Sequence, residues 1–251
     1  MRFVAIIPAR FASTRLPGKV LADINGRPMI SHVVRQAAIS GAQRVIVATD
    51  HEQVVKVAQE AGAEAILTRE DHKSGTERLA EAIDVIDLHD DEIVVNVQGD
   101  EPCINPELIT QVACDLSRHA AADMATLATP IQNVRDVVDP NVVKVVLDVA
   151  GNAIYFSRSI IPWDREAGGT SDTPQGVLQH IGLYAYHAGF IRQYVALERT
   201  FLEESEKLEQ LRVLYHQRKI HVSITKPVEN LSVDTEEDLR KVRNLMSELF
   251  A

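Results

Sequence analysis

The sequence predicts an α/β fold: a mostly parallel sheet flanked by helices, with a β-rich insertion near residues 142–190. Three observations carry this reading. Over the first 120 residues, short apolar β-prone runs alternate with segments of helical period, the pattern of parallel strands joined by crossover helices. Glycines stand where the first helical segments end. In the second half, strand-like runs crowd together before helical periodicity resumes. With 251 residues and no repeat, low-complexity tract or linker, the chain reads as a single domain, 1–251.

The elements follow in order. Strands are expected at Phe3–Ile7, Arg44–Thr49, Glu64–Leu67 and Glu92–Val97, each an apolar run bounded by turn residues. Between them, helices are expected near Met29–Ser40, stopped by Gly41, and His51–Ala61, stopped by Gly62. In the latter, Val54, Val57, Ala58 and Ala61 share one face. A helix near Thr76–Ile86 follows a Ser-Gly turn, and another begins at Asn105-Pro106, where proline suits the first turn. The second half offers strands at Met124–Thr129, Val142–Asp148, Ala153–Phe156 and His180–Tyr186, with Ala150-Gly151-Asn152 as a hairpin turn. Residues 163–179 are polar and rich in Gly and Pro, so they read as a surface loop. Helices near Ser205–Gln217 and Thr235–Phe250 flank a strand at Ile220–Thr225, and Thr235 with Asp238 gives a capping-box start.

Composition narrows the function classes. A formal charge of −10 argues against general nucleic-acid binding but not against a small phosphorylated ligand. No apolar run approaches the roughly 18 residues a membrane span needs, and Met1-Arg2-Phe3 leads straight into a strand rather than a signal peptide. A cytoplasmic protein with no membrane partner is expected. Cys103 and Cys114 make neither a disulfide framework nor a metal spacing and are expected as reduced thiols, Cys114 in a helix core.

Against that acidic background, residues 6–19 (IIPARFASTRLPGK) stand out. No acidic residue occurs from Met1 to Ala22, and Arg10, Arg15 and Lys19 follow the first strand. Open α/β sheets bind ligands at the carboxyl ends of their strands, so this loop reads as a seat for a polyanion. Ala9, Ala12, Ser13 and Gly18 are small enough to leave backbone N–H groups accessible to phosphate oxygens. A solvated basic loop is the plainer reading.

Three further segments bear on chemistry. In Val95–Pro102 (VNVQGDEP) an apolar strand ends in a glycine turn followed by two carboxylates. Asp100 there is a candidate ligand for Mg²⁺, which takes oxygen donors and bridges to substrate phosphates. Ser74-Gly75-Thr76 offers hydroxyls and main-chain donors at a helix start, with Arg78 in the first turn; helix capping by Thr76 is the alternative. Asp234, between a strand and the last helix, reads as an acid on the helix dipole, and spacing alone does not bring it to Asp100. P-loop, dinucleotide G-x-G-x-x-G, G-x-S-x-G, H-E-x-x-H and C-x-x-C motifs are all absent, and the nine histidines are scattered.

Taken in order, IPARFASTRLPGK, SGTER, VNVQGDEP, QHIGLYAY, KLEQLR and VDTEEDL resemble the 3-deoxy-D-manno-octulosonate (Kdo) cytidylyltransferases of the sugar nucleotidyltransferases, over about Phe3 to Leu245. The resemblance implies a Rossmann-like, glycosyltransferase-A-like sheet and transfer of CMP from CTP to the anomeric hydroxyl of Kdo. Pyrophosphate leaves, Mg²⁺ is the cofactor, and the product feeds lipopolysaccharide biosynthesis. It implies that Lys19, Arg10 and Asp100 are catalytic, and that Ala9, Arg10, Ser13, Arg15, Lys19, Ser74, Thr76, Arg78 and Gln98 hold the nucleotide. Gln98, Arg158, His180, Tyr184, Glu209 and Gln210 would line the sugar pocket, and Asp100 and Asp234 would hold the metal. Helical spacing fits in part, since Leu208, Leu211 and Tyr215 make an apolar stripe that leaves Glu209 and Arg212 off it. The chain departs from the family at Ser232, where a glycine is usual before Val-Asp-Thr.

The nearest rival readings are a cytidylyltransferase for sialic acid or amino-Kdo, another sugar nucleotidyltransferase, a nucleotide-sensing module without chemistry, and a glycosyltransferase. The family is typically dimeric, and Ile160, Ile161 and Trp163 offer apolar surface for a homodimer.

Overall fold

The computed structural model describes residues 1–12, 16–169, 176–227 and 232–249, so Ser13 and Arg15 lie outside the described residues. The chain begins with β1 (Val4–Pro8), a single 3-10 turn at Lys19–Leu21 and a ribbon of β2 (Asp23–Ile24) and β3 (Arg27–Pro28). There follow α1 (Met29–Ile39), β4 (Arg44–Thr49), α2 (Glu52–Glu60), β5 (Glu64–Leu67), α3 (Gly75–Val85), β6 (Ile93–Asn96) and α4 (Pro106–Arg118). The second half holds β7 (Met124–Pro130), α5 (Val134–Val138), β8 (Lys144–Leu147), β9 (Ala153–Ser157), β10 (Leu178–His187) and α6 (Ala188–Ala196). It closes with α7 (Phe201–Glu206), α8 (Gln210–Tyr215), β11 (Ile220–Ile224) and α9 (Glu236–Leu249).

Among the described residues nine strands form one sheet in the order β11-β7-β10-β6-β1-β4-β5, with β8 and β9 branching from β10. β6, β1, β4 and β5 run parallel, β11 runs parallel to β7, and β10 is antiparallel to both β6 and β7. The β-rich insertion is thus smaller than expected. β10 is an internal strand of the main sheet, and only β8 and β9 stand off it, where the amino-terminal half of β10 turns from β6 to pair with β8. Gly151, at φ 81°, makes the expected turn between β8 and β9.

Both faces of the sheet are covered. In β1, Ala5 and Ile7 pack under α1, α2 and α4 through Val33, Val54 and Ile109, while Val4 and Ile6 face α3, α6 and α8 through Leu79, Ile191 and Leu211. A strand buried on both sides reads as an unbroken apolar run, which is why β1, β4 and β6 were legible. A third cluster places Val233 and the α9 residues Leu239, Val242 and Met246 against Ile24 and Met29, fixing the start of α9 beside the first loop. No helix among the described residues is long and apolar enough to cross a membrane.

Several expectations are corrected. Ser205–Gln217 is not one helix: the chain leaves α7 at Lys207, in the left-handed region at φ 54°, and restarts as α8. Tyr215 is accordingly 60% exposed, and Val213 joins Leu208 and Leu211 in the core instead. α5 and α6 were not anticipated. α6 follows β10 at once, with no side-chain cap and no turn residue to announce it. Cys114 is half-buried rather than core, and both cysteines are free thiols.

Candidate active site

The site forms where the sheet order reverses. β4 and β5 lie to one side of β1 and β6 to the other, so the loops after β1 and β6 leave in opposite directions and open a crevice between them. Gly99 permits this closeness, because a Cβ there would stand 2.9 Å from the carbonyl oxygen of Pro8. Two adjoining cavities of about 490 and 410 Å³ occupy the crevice and share Gly75, Gln98, Asp100, Glu209 and Asp234. Ala9, Arg10, Lys19, Ser74 and Arg78 line the smaller one, and Thr76, Arg158, Tyr184 and Gln210 the larger.

At their junction the Lys19 ammonium donates to three oxygens: Asp100 Oδ2 at 2.7 Å, Asp234 Oδ1 at 2.9 Å and the Val233 carbonyl at 3.1 Å. Burial alone would lower the pKa of Lys19, but the two carboxylates, Asp100 foremost, outweigh it and raise it. The fold does what spacing did not: Val233 donates its N–H to the Asp100 carbonyl at 2.8 Å, bringing Asp234 beside Asp100. Ser232, in place of the family's glycine, does not prevent this. Three oxygens converging on one cationic group are a donor set suited to a hard divalent cation.

The first loop is held from behind by Asp50, which follows β4. It accepts from the Phe11 N–H at 2.9 Å and from the Arg78 guanidinium at 2.8 Å. Arg78 is 3% exposed and is also bonded to Thr68 and the Arg69 carbonyl, so it braces the loop as well as bordering the cavity. Arg10 is exposed and has no ion-pair partner among the described residues. The backbone reading of this loop needs correction. The Ala9 N–H is spent on the Ala48 carbonyl at 2.8 Å and the Gly18 N–H on Phe11, so neither is offered to a ligand. Ser74, not Thr76, caps α3 by accepting the Glu77 N–H, which leaves the Thr76 hydroxyl to bond Glu209 at 2.9 Å. That carboxyl is raised by burial, against the pull of Thr76.

The larger cavity is lined by tyrosines and by buried polar atoms. Asn96 Oδ1, an acceptor, and Gln210 Nε2, a donor, border it without hydrogen-bond partners among the described residues, a pair that suits a polar ligand. His180 is not brought to this wall. It lies 8% exposed behind Tyr184, shares a 3.0 Å hydrogen bond with Thr126 and packs edge-on to Phe156, and burial pushes its pKa down to about 3. Reasoning from sequence missed Asn96, Asp50 and Tyr186. Asn96 had a signal, being the one polar residue in the apolar run Ile93–Val97.

Among the described residues one other cluster has metal-ligand chemistry: Asp115, His119 and His221, between α4 and β11. Its two imidazoles stack at 3.5 Å and 12°, so their in-plane lone pairs cannot meet at one ion.

Comparison with known proteins agrees with this geometry. A family model described as cytidylyltransferase matches residues 4–220. The 3-deoxy-manno-octulosonate cytidylyltransferase of Erwinia tasmaniensis is 56% identical over 248 residues, covering 98% of this chain and all of that protein. The chain belongs to the 3-deoxy-manno-octulosonate cytidylyltransferase family. The corresponding protein of Yersinia enterocolitica is also 56% identical, over 98% of this chain and 99% of its own. A solved CMP:2-keto-3-deoxy-manno-octonic acid synthetase complexed with CTP superposes at TM-score 0.90 with 39% identity, over 99% of this chain and 100% of its own. A cytidylyltransferase from Leptospira borgpetersenii, 15% identical at TM-score 0.64 over 99% and 88%, shares the fold.

Proposed function

We infer that this cleft transfers CMP from CTP to the anomeric hydroxyl of Kdo and releases pyrophosphate. The chain is a nucleotidyltransferase, and the membership just described carries that statement. The division of labour in the cleft is our proposal. The single observation behind it is the Lys19 ammonium held between Asp100 and Asp234 at the junction of the two cavities. CTP takes the smaller cavity, with Arg10 and Lys19 on its phosphates and Ser74 and Gln98 placing the nucleoside. Kdo takes the larger one, against Arg158, Tyr184, Glu209 and Gln210.

Asp100 and Asp234 would hold Mg²⁺ as oxygen donors. When bound, the ion neutralises phosphate charge and makes the acceptor hydroxyl more acidic. The residues of the chain do the rest. The reaction is displacement at the α-phosphorus, in which positioning and charge neutralisation dominate by analogy with phosphoryl transfer. Lys19 and Arg10 project from a loop whose backbone is braced by Asp50, which delivers both cations beside the leaving pyrophosphate, Lys19 by turning from its carboxylate partners. The Arg158 guanidinium lines the acceptor cavity with no carboxylate partner among the described residues, which suits it to the carboxylate of a sugar acid. The orphaned Gln210 and Asn96 atoms suit sugar hydroxyls.

The same reading makes the protein a cytoplasmic enzyme of lipopolysaccharide biosynthesis and a homodimer. Trp163 at 62% and Ile154 at 57% exposure, the latter on the outer strand β9, support a second copy docking there. Light scattering at micromolar concentration should give twice the chain mass; a monomer would refute the dimer.

The reaction is tested by pyrophosphate release from a panel of four nucleoside triphosphates against Kdo, amino-Kdo and sialic acid. CTP with Kdo should give the highest kcat/KM. A higher value for another pair would refute the assignment.

A further inference from the structure

Lys144 in β8 is 0% exposed and lies outside both cavities, yet it carries a full side-chain inventory of donors. Among the described residues its ammonium donates to three carbonyls: Asp139 at 2.9 Å, Val142 at 2.6 Å and Arg158 at 2.7 Å. Burying an ammonium is costly unless every donor is used, and here three donors meet three acceptors. Burial lowers its pKa, as does Arg158 nearby, while Asp139 and Glu206 oppose the shift. An apolar residue would fill the space at far less cost, so the position calls for a reason beyond packing.

That reason lies in what the three carbonyls belong to. Two come from the turn 139–142, which also supplies the Pro140 carbonyl that accepts from Arg158 Nη1 at 2.9 Å. The third is the carbonyl of Arg158 itself. The remaining atoms of Arg158 are held by the end of α7: its N–H by Glu206 Oε2 at 2.9 Å and its Nε by the Glu206 carbonyl at 2.6 Å. Ser157 donates to the other Glu206 oxygen at 2.6 Å. Lys144 therefore ties down both the main chain of Arg158 and the turn that orients its guanidinium, while that guanidinium borders the larger cavity.

We propose that Lys144 is a positioning residue for the acceptor: through three main-chain carbonyls it fixes Arg158 in the orientation that receives the sugar acid's carboxylate. This rests on the reading of Arg158 as an acceptor contact. Preorganised donors lose little entropy when the ligand arrives, so loosening them weakens acceptor binding selectively.

The test compares wild type, Lys144→Met, Arg158→Ala and the double variant, each with melting temperature and separate KM values for Kdo and CTP. Lys144→Met should raise the KM for Kdo about tenfold with the KM for CTP within about twofold, and the double variant should be no worse than Arg158→Ala, because acting through one residue makes the effects non-additive. Additive effects, or equal losses for both substrates, would overturn the proposal, as would a lower melting temperature with unchanged kinetics. If Arg158→Ala alone leaves the KM for Kdo unchanged, the acceptor reading of Arg158 fails and the proposal falls with it. If Lys144→Met does not fold by circular dichroism, Lys144→Gln, which keeps two donors, is judged by the same criteria. Failure of both to fold would make the lysine purely structural and overturn the proposal.

Discussion

Lys19 Nζ lies 2.7 Å from Asp100 Oδ2, joining the loop after β1 to the loop after β6, and its second carboxylate partner, Asp234, comes from the start of α9. Three distant parts of the chain thus meet at one charge. The ammonium neutralises two acids that would otherwise repel each other, and it occupies the place where those acids can hold a metal. A divalent cation held by these acids would use the oxygens that Lys19 now occupies, so the proposed function predicts that nucleotide binding draws Lys19 toward the phosphates.

Asp100→Asn keeps the shape of the side chain but removes its charge. If Asp100 holds the cation that neutralises the phosphate charge, turnover should fall by at least about a hundredfold, the scale seen when electrostatic stabilisation of a transition state is lost. Circular dichroism and melting temperature should stay close to wild type, since Asp100 borders a cavity rather than the core. A near-normal rate at saturating Mg²⁺ would contradict its role.

Lys19→Ala should raise the KM for CTP and lower kcat together if, as proposed, the same cation serves the bound triphosphate and the leaving group. Initial rates at varied CTP check this, and unchanged kinetics would refute it.

Glu203 accepts from Arg212 through both carboxylate oxygens, one at 2.7 Å, in a pair only 9% and 5% exposed. Arg212 also stacks 4.5 Å above the Tyr194 ring. Glu203→Ala strands a buried cation, so it should cost about 3–5 kcal/mol in urea unfolding. The pair joins α7 to α8, and a loss below about 1 kcal/mol would mean the two helices are held by apolar packing alone.

His180 is kept neutral by burial, with a pKa near 3 against the usual 6.5. The unfolded chain takes up that proton first as pH falls. Its contribution to stability is therefore present above about pH 6.5 and lost from there toward about pH 3, at up to about 1.4 kcal/mol per pH unit. Unfolding free energies of His180→Gln should lack that part of the slope; an identical slope would contradict it.

Much of this was legible because local and global signals agree. β4 and β5 fall where their apolar runs predicted, and Asn105 caps α4 with Pro106 behind it. Thr235 and Asp238 exchange hydrogen bonds as the capping box requires. The basic first loop and Asp100 were visible as charge in the wrong background. Other features depend on three-dimensional neighbours. The break at Lys207 needs a non-glycine residue at positive φ, which no local preference announces. Ala9 and Gly18 looked available because sequence does not reveal that Ala48 and Phe11 already accept their N–H groups. His180 was expected in the pocket only because the family resemblance implies it; the register change in β10 between Ile181 and Tyr184, and its burial against Thr126 and Phe156, are visible only in three dimensions. Nothing local in the sequence marks Lys144, because the three carbonyls it bonds are brought to it by the turn 139–142 and by Arg158.

The central claim is that Asp100 and Asp234 together hold the divalent cation and that Lys19 yields the place to it. Anomalous diffraction from crystals grown with CTP and Mn²⁺ tests it most directly. The account predicts a manganese peak in contact with carboxylate oxygens of both Asp100 and Asp234, with Lys19 moved onto the triphosphate. A peak on the phosphates alone, with both carboxylates still paired to Lys19, would contradict it.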